Sequence, residues 1–410
     1  NQMDIFAGSV SVRYLQLVRF MRAGATREEA TETLVADTAK PEGERAYAAE
    51  LGEHAYGGAY IVDIASEILA DEGDVWVDAD AEAREVHFRE RAYTQVLAHM
   101  KTVLEESRIE FDVWFSERTL HVKDADGVDD IMRAIERLRA QGYIYEEDGA
   151  TWFRSTDFGD DKNRVLVKAD GDYTYFAADI AYHANKFARG FDHAINIWGA
   201  DHHGYVARMQ AACEALGDGG KLDVIIGQLV NLLRDGMPVR LSKRAGTMVT
   251  FEELLDEVGV DATRYLMLSR STDQTVDFDI EVAKKQDDTN PVYYVQYAHA
   301  RICSILRKAD RPVNADADLT LLADPAEIEL ARRISEFSAL IEGAARDYAP
   351  FRLTHYAESL ASTFHSFYAK CKVITDDVAL TDARLYLCDT VRGLLALVLD
   401  LLGVSAPEHM

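Results

Sequence analysis

The chain has 410 residues, of which 48% are hydrophobic, and a formal net charge of −27 at pH 7. Its length exceeds that of most single domains and predicts two of them. The negative charge argues against nucleic-acid binding through bulk attraction, although it leaves room for a local basic patch.

The sequence indicates neither a membrane span nor an oxidising compartment. The longest apolar runs, such as residues 394–402, include a charge and are too short to cross a bilayer. The cysteines have no paired spacing and stand among apolar neighbours, which predicts reduced, buried thiols in a cytosolic protein. They are Cys213, Cys303, Cys371 and Cys388.

The first part of the chain, residues 3–139, is predicted to be helical because it is charged and rich in alanine. Within it Tyr93, Val96, Met100 and Val103 recur at the spacing of one helical face. The opening residues have the character of a helix continued from upstream, so we expect a fragment of a longer chain.

Residues 142–269 change to alternating short strands and helices, which is the pattern of parallel strands in an α/β sheet. The predicted strands are 172–176, 194–198 and 224–229. Helices are predicted at 178–187 and 206–216. Thr250 and Glu253 form a capping box, so a further helix begins there.

After Asp287 only helical periodicity remains, and Asn290–Pro291 marks the boundary because the residue before proline leaves the helical region. The predicted domains are therefore residues 1–286, with a helical insertion at roughly 20–140, and an all-α bundle at 287–410.

The loop after the predicted strand 194–198 carries Gly199, Asp201, His202 and His203 and leads into a helix. Open α/β sheets bind their ligands at such junctions, where helix N–H groups suit an anion or a nucleotide. A polar helix cap and a zinc site are the alternatives. Adjacent histidines do not point at one metal, however, and no cysteine lies nearby.

A second polar loop, Arg240–Gly246, contains Ser242 and Lys243 and precedes the capped helix. A lysine there can follow the charge on a departing pyrophosphate, and a serine can donate a hydrogen bond. The alternative is a solvated basic turn between a strand and a helix.

Tyr175 and Asp179 are predicted to lie at the end of a strand and in the first turn of a helix. A carboxylate in this place can bind a cation, and a planar guanidinium would meet it with two parallel hydrogen bonds. The alternative is that Asp179 only caps the helix.

Taken together, three motifs resemble the bacterial arginyl-tRNA synthetases, which are class I aminoacyl-tRNA synthetases. The motifs are Gly199–Tyr205, Arg240–Gly246 and Asn290–Arg301, in the order and spacing of that family. Phe111–Glu117 and Tyr182–Phe187 extend the resemblance to nearly the whole chain. It implies an incomplete Rossmann-type α/β catalytic domain with a helical insertion, followed by an all-α anticodon-binding bundle.

The resemblance implies that ATP and L-arginine form arginyl-adenylate and that the arginyl group passes to tRNA(Arg). It assigns Tyr175 and Asp179 to the guanidinium and the loop Gly199–His203 to ATP. Ser242 and Lys243 become the catalytic residues that hold the triphosphate. ATP would enter with Mg²⁺, no tightly bound cofactor is implied, and we expect a cytoplasmic monomer.

The resemblance also assigns five residues of the C-terminal helices to the tRNA anticodon: Tyr297, Arg301, Phe364, Tyr368 and Met410. Aromatic side chains read single-stranded RNA by stacking on its splayed bases. Without the resemblance, these aromatics would be taken for core residues.

Two departures from the family pattern matter. Arg240 and Arg244 replace the first lysine and the last serine of the usual Lys-Met-Ser-Lys-Ser loop, and the sequence contains no His-Ile-Gly-His. We therefore expect an N-terminally truncated synthetase that is inactive alone and lacks the N-terminal tRNA-binding domain. The alternatives are another class I synthetase, such as the cysteinyl type, and a non-catalytic tRNA-binding paralogue.

Overall fold

The computed structural model describes residues 2–52, 54–239 and 249–410. Three clusters of buried apolar side chains define an N-terminal helical part, a central α/β part and a C-terminal part. All four cysteines are buried and unpaired, as predicted. Within the described ranges, no helix combines the length and the apolar character needed to cross a lipid bilayer.

The N-terminal part is built from α-helices, some of which start at a capping side chain. They are α1 (Gln2–Arg22), α2 (Arg27–Thr38), α3 (Ala59–Glu72) and α4 (Ala81–Glu106). Thr26 and Glu29 form a capping box at α2, and Asp80 accepts hydrogen bonds from the first turn of α4. The predicted helical character is thus confirmed, although the connections between these helices, including 109–116, are not α-helical.

The central part opens with a helix and an antiparallel sheet and continues with a β-α-β unit. Its elements are α5 (Asp130–Ala140), β1 (Ile144–Glu147), β2 (Ala150–Phe153), β3 (Arg164–Val167), α6 (Tyr175–Ala188), β4 (Ala194–Gly199), α7 (Val206–Ala215) and β5 (Leu222–Gly227). β4 and β5 pair in parallel, with Ala194 opposite Leu222 and Gly199 opposite Gly227. The predicted parallel strands are confirmed, and their carboxyl ends lie side by side.

One predicted strand, 172–176, is wrong. Tyr173 makes only an isolated bridge with Val167, and α6 already begins at Tyr175. The reason is the side chain of Thr174, which accepts a hydrogen bond from the backbone N–H of Ala177 and starts the helix. This cap overrides the strand preference of the alternating aromatic residues.

The chain then forms the third small sheet of the described residues, in which β6 pairs with both β7 and β8, in parallel with β8 and antiparallel with β7. The elements are β6 (Val230–Arg234), β7 (Met237–Pro238), α8 (Phe251–Val258), α9 (Val260–Met267), β8 (Val276–Asp279) and α10 (Ile280–Ala283). The predicted capping box of Thr250 and Glu253 is present at the start of α8.

The C-terminal part is the predicted bundle, and its first helix begins at Pro291. Its helices are α11 (Pro291–Ala309), α12 (Pro325–Ser335), α13 (Phe337–Arg346), α14 (Phe351–Lys370) and α15 (Val378–Leu401). Its core is continuous with Leu254, Tyr265 and Phe278 of the central part. The bundle and the end of the α/β part therefore share one apolar interior.

Candidate functional site

The first candidate loop lies where the parallel strands end. Gly199 ends β4, and a 3₁₀ helix, Ala200–Tyr205, leads into α7. Asp201, His202 and His203 are all exposed. A Cβ at Gly199 would stand 2.7 Å from Oδ1 of Asp201, so a larger residue there would displace this exposed carboxylate. The polar groups of this loop thus face solvent at the edge where α/β sheets bind ligands.

Tyr175 and Asp179 lie one turn apart on the same helix, α6. Tyr175 is 81% exposed, whereas Asp179 is half-buried. Oδ2 of Asp179 accepts a hydrogen bond from the hydroxyl of Tyr205 over 2.6 Å. Because Thr174 supplies the cap of α6, capping does not explain Asp179. The carboxylate is joined by Tyr205 to the segment that carries the two histidines.

A chain of polar side chains behind Asp179 fixes α6 against β4. Nδ1 of His183 donates to the backbone carbonyl of Asp179 at 2.7 Å, and its Nε2 accepts from Asn196 at 2.7 Å. Lys186 donates to Oδ1 of Asn196 at 2.9 Å. Burial lowers the pKa of His183, which matches a neutral ring carrying one N–H. The helix that carries Asp179 is therefore held in place by satisfied hydrogen bonds.

The second candidate loop cannot be placed in this geometry, because Ser242 and Lys243 lie outside the described residues. Its downstream flank is well defined. Oγ1 of Thr250 accepts from the backbone N–H of Glu253 at 3.1 Å, and Oε2 of Glu253 accepts from that of Thr250 at 2.8 Å. The loop thus leads directly to a doubly capped helix start.

In the C-terminal bundle, four of the five candidate anticodon residues surround neighbouring cavities. The guanidinium carbon of Arg301 lies 4.6 Å from the ring centroid of Tyr297 and 5.4 Å from that of Tyr368. Tyr368 and Met410 are 40% and 52% exposed. A cavity of about 680 Å³ is lined by Asp288, Tyr293, Tyr294, Tyr297, Arg301, His365, Tyr368 and Ala369. Such aromatic walls suit a planar, unpaired base.

A second cavity, of about 480 Å³, adjoins the first and shares Tyr297, Arg301 and Tyr368 with it. Arg307 and Lys308 line it together with the chain end at Met410. With Arg301, its lining has three basic side chains against one acidic side chain, Glu408, on a protein whose formal net charge is −27. This surface is a candidate for the local basic patch that the overall negative charge does not exclude.

The fifth candidate, Phe364, is contradicted as a surface for stacking because its side chain is fully buried. It packs in the core of the bundle, and its ring centroid lies 6.3 Å from that of Phe367. Both rings point inward from α14, so a nucleobase cannot reach Phe364. Its role is to support the ring of Tyr368, whose centroid lies 6.0 Å away.

Several residues of these sites were not singled out from the sequence. In the aromatic cavity they include Tyr293, which stacks on Tyr297 with an interplanar angle of 6°, and His365. The spacing of Tyr293, Tyr297 and Arg301 along one face of α11 was the available signal. Tyr205 stood inside a quoted motif, but its contact with Asp179 spans 26 positions and has no local signature.

Two family profiles together match most of the chain. A profile described as the catalytic domain of class I tRNA synthetases (R) matches residues 65–304. One described as the DALR anticodon binding domain matches residues 295–410. The two matches meet within α11, the helix that opens the bundle.

Curated relatives and solved structures agree with these matches. An arginine–tRNA ligase of Heliobacterium modesticaldum is 45% identical over all of this chain, which spans 69% of that protein. One of Listeria monocytogenes is 49% identical over 88% of this chain and 65% of its own length. A Campylobacter jejuni structure assigned as an arginyl-tRNA synthetase has a TM-score of 0.80 and 31% identity, covering 98% of this chain and 89% of that one. This chain spans about two thirds of the length of these curated relatives.

Proposed function

The chain belongs to the arginyl-tRNA synthetase family of class I, and we propose that it serves the activation of L-arginine with ATP and the charging of tRNA(Arg). The carboxylate of Asp179 carries the proposal, because it stands at the ligand edge of the sheet and Tyr205 joins it to the loop Gly199–His203. A guanidinium offers planar, paired donors that match a carboxylate. Arginine therefore binds with its side chain against Asp179 and beside the exposed ring of Tyr175.

ATP, as its magnesium complex, binds with its ribose and adenine against the loop Gly199–His203. The support is the glycine that lets the backbone approach, together with the exposed Asp201, His202 and His203 after it. Ser242 and Lys243 hold the triphosphate; they lie outside the described residues, so their role rests on the motif in the sequence. No tightly bound cofactor enters the proposal.

The chemistry follows from holding the two substrates side by side. A carboxylate oxygen of arginine attacks the α-phosphorus of ATP, and the bond from that phosphorus to pyrophosphate breaks. A hydroxyl of the terminal adenosine of tRNA(Arg) then attacks the arginyl carbonyl carbon, and AMP leaves. Catalysis is positioning plus charge stabilisation, for which Lys243 supplies the cation beside the departing pyrophosphate. The protein forms no covalent intermediate.

We further propose that these 410 residues do not form the adenylate unaided, because their sequence contains no His-Ile-Gly-His. Arginine-dependent exchange of pyrophosphate into ATP measures this step directly. We expect exchange at the background rate. Exchange at the rate of a complete synthetase would refute this statement and would leave the proposed reaction standing.

The bundle, residues 287–410, is proposed to bind the anticodon of tRNA(Arg), with the enzyme acting as a monomer in the cytoplasm. The support is the basic and aromatic surface formed by Tyr297, Arg301, Tyr368 and Met410. Cations there neutralise phosphates, and the exposed rings stack on unpaired bases. Phe364 is not part of this surface.

Tyr368→Ala is expected to raise the dissociation constant of tRNA(Arg) by about tenfold, which is the loss of one stacked base. Fluorescence anisotropy with labelled tRNA measures the constant, and circular dichroism checks that the helices remain. Tyr60→Ala is the matched control, since Tyr60 is 46% exposed on the N-terminal helices. An unchanged constant for Tyr368→Ala would count against the anticodon assignment.

A further inference from the structure

The hydroxyl of Tyr205 is held in one position by the surroundings of its ring. Phe176 and Trp198 each meet this ring nearly edge-on, both with centroids 5.8 Å away. The guanidinium carbon of Arg208, a residue of α7, lies 4.7 Å from the centroid of the Tyr205 ring. These contacts come from α6, β4 and α7, the three elements around the candidate site. The phenol of Tyr205 therefore has a fixed position, and its oxygen lies 2.6 Å from Oδ2 of Asp179.

Tyr205 keeps its proton and acts as a permanent donor. Burial raises the pKa of its phenol, and the adjacent carboxylate of Asp179 raises it further. The hydroxyl of Tyr205 is therefore the donor and the carboxylate of Asp179 the acceptor, and hydrogen bonds to carboxylates are strong and charge-assisted. Among the described residues, no other side chain donates a hydrogen bond to the carboxylate of Asp179; His183 donates to its backbone carbonyl. The direction of this one bond sets the orientation of the carboxylate.

The bond leaves Asp179 able to bind a guanidinium. An ionised carboxylate has about four lone-pair sites, and Tyr205 uses one of them. Two parallel hydrogen bonds from a guanidinium require both oxygens to lie in a fixed plane. Without the phenol, the carboxylate could turn about its side-chain bond, and the plane would be lost.

We infer that Tyr205 is a positioning residue that orients Asp179 for the guanidinium of the substrate, an inference that rests on the proposed function of this site. Tyr205 also ends the 3₁₀ segment that follows β4. A single hydrogen bond thus ties the proposed arginine helix to the proposed nucleotide loop. In this role Tyr205 acts through Asp179 and does not itself contact arginine.

Tyr205→Phe tests the inference, because phenylalanine keeps the ring and removes only the hydroxyl. Calorimetric titrations of the 410-residue chain with arginine, agmatine and ATP give the three dissociation constants. We expect those of arginine and agmatine, which both carry a guanidinium, to rise by about fivefold. The constant for ATP should change by less than about twofold, since the loop contacts remain.

Tyr14→Phe is the matched control, since it also removes a hydroxyl that donates over 2.6 Å, here to the carbonyl of Gly73 in the N-terminal part. Its arginine affinity should equal that of the wild type. An unchanged arginine constant in Tyr205→Phe, or an equal loss for arginine and ATP, would overturn the positioning role alone. A wild-type chain that binds no arginine would overturn the proposed function, and the inference with it.

Discussion

Asp179→Asn is expected to raise the dissociation constant of arginine by about 10- to 100-fold, the effect of losing hydrogen bonds between opposite charges. Asparagine has nearly the same shape as aspartate. Its oxygen can still accept the hydrogen bond from the hydroxyl of Tyr205, which spans 2.6 Å in the wild type. Its amide nitrogen, however, turns a donor toward the donors of the guanidinium. The substitution therefore changes the charge and polarity of the site while the surrounding packing remains.

Calorimetric titration of the chain with arginine measures this effect, and Asp192→Asn is the matched control. Asp192 is an exposed aspartate in the turn before β4, so its substitution removes the same charge without touching α6. The control should bind arginine as the wild type does. If Asp179→Asn did the same, the carboxylate would have no part in recognising the substrate.

Arg264→Ala is expected to lower the free energy of unfolding by about 2 kcal/mol, because Arg264 satisfies the carbonyls at the ends of two helices. Its Nε donates to the carbonyl of Leu402 at 2.9 Å, at the end of α15. Its Nη1 donates to the carbonyls of Ser107 at 2.8 Å and Arg108 at 3.1 Å, at the end of α4. A cation there also complements both helix dipoles.

The loss should appear in scanning calorimetry as a lower unfolding temperature, because α9, which carries Arg264, connects the N-terminal part to the bundle through these bonds. Arg346→Ala on α13 is the control, since Arg346 is exposed and forms its ion pair with its exposed neighbour Asp347. We expect no measurable shift for the control. Equal unfolding temperatures for Arg264→Ala and the wild type would show that the hydrogen bonds of Arg264 do not stabilise the fold.

The features predicted correctly from the sequence are those with a local physical signal. The capping box at Thr250 depends on two residues of one turn, and the helix from Val206 depends on its apolar spacing. The strands predicted at 194–198 and 224–229 follow from short apolar runs between glycines and helices, and the observed strands are Ala194–Gly199 and Leu222–Gly227. Each of these signals is complete within about ten residues, so tertiary structure was not needed to read it.

The features that were missed depend on contacts between distant segments. Phe364 has an aromatic side chain of the kind that stacks on bases, and only the packing of the bundle shows that it lies in the core. The hydrogen bond between Tyr205 and Asp179 appears only when α6 and the end of β4 meet. At Thr174 the sequence carries two local signals, a helix cap and the alternating aromatic residues typical of a strand. The structure follows the cap, so α6 begins at Tyr175. Burial and long-range hydrogen bonds are properties of the assembled fold.

Titration of the 410-residue chain with arginine and with citrulline tests the recognition of a guanidinium most directly. Citrulline has the same length and shape, but an uncharged ureido group replaces the cation and offers an oxygen to the carboxylate of Asp179. We expect arginine to bind at least about tenfold more tightly, since its bonds to the carboxylate are charge-assisted. Equal affinities for the two amino acids would contradict the assignment of Asp179 to the guanidinium.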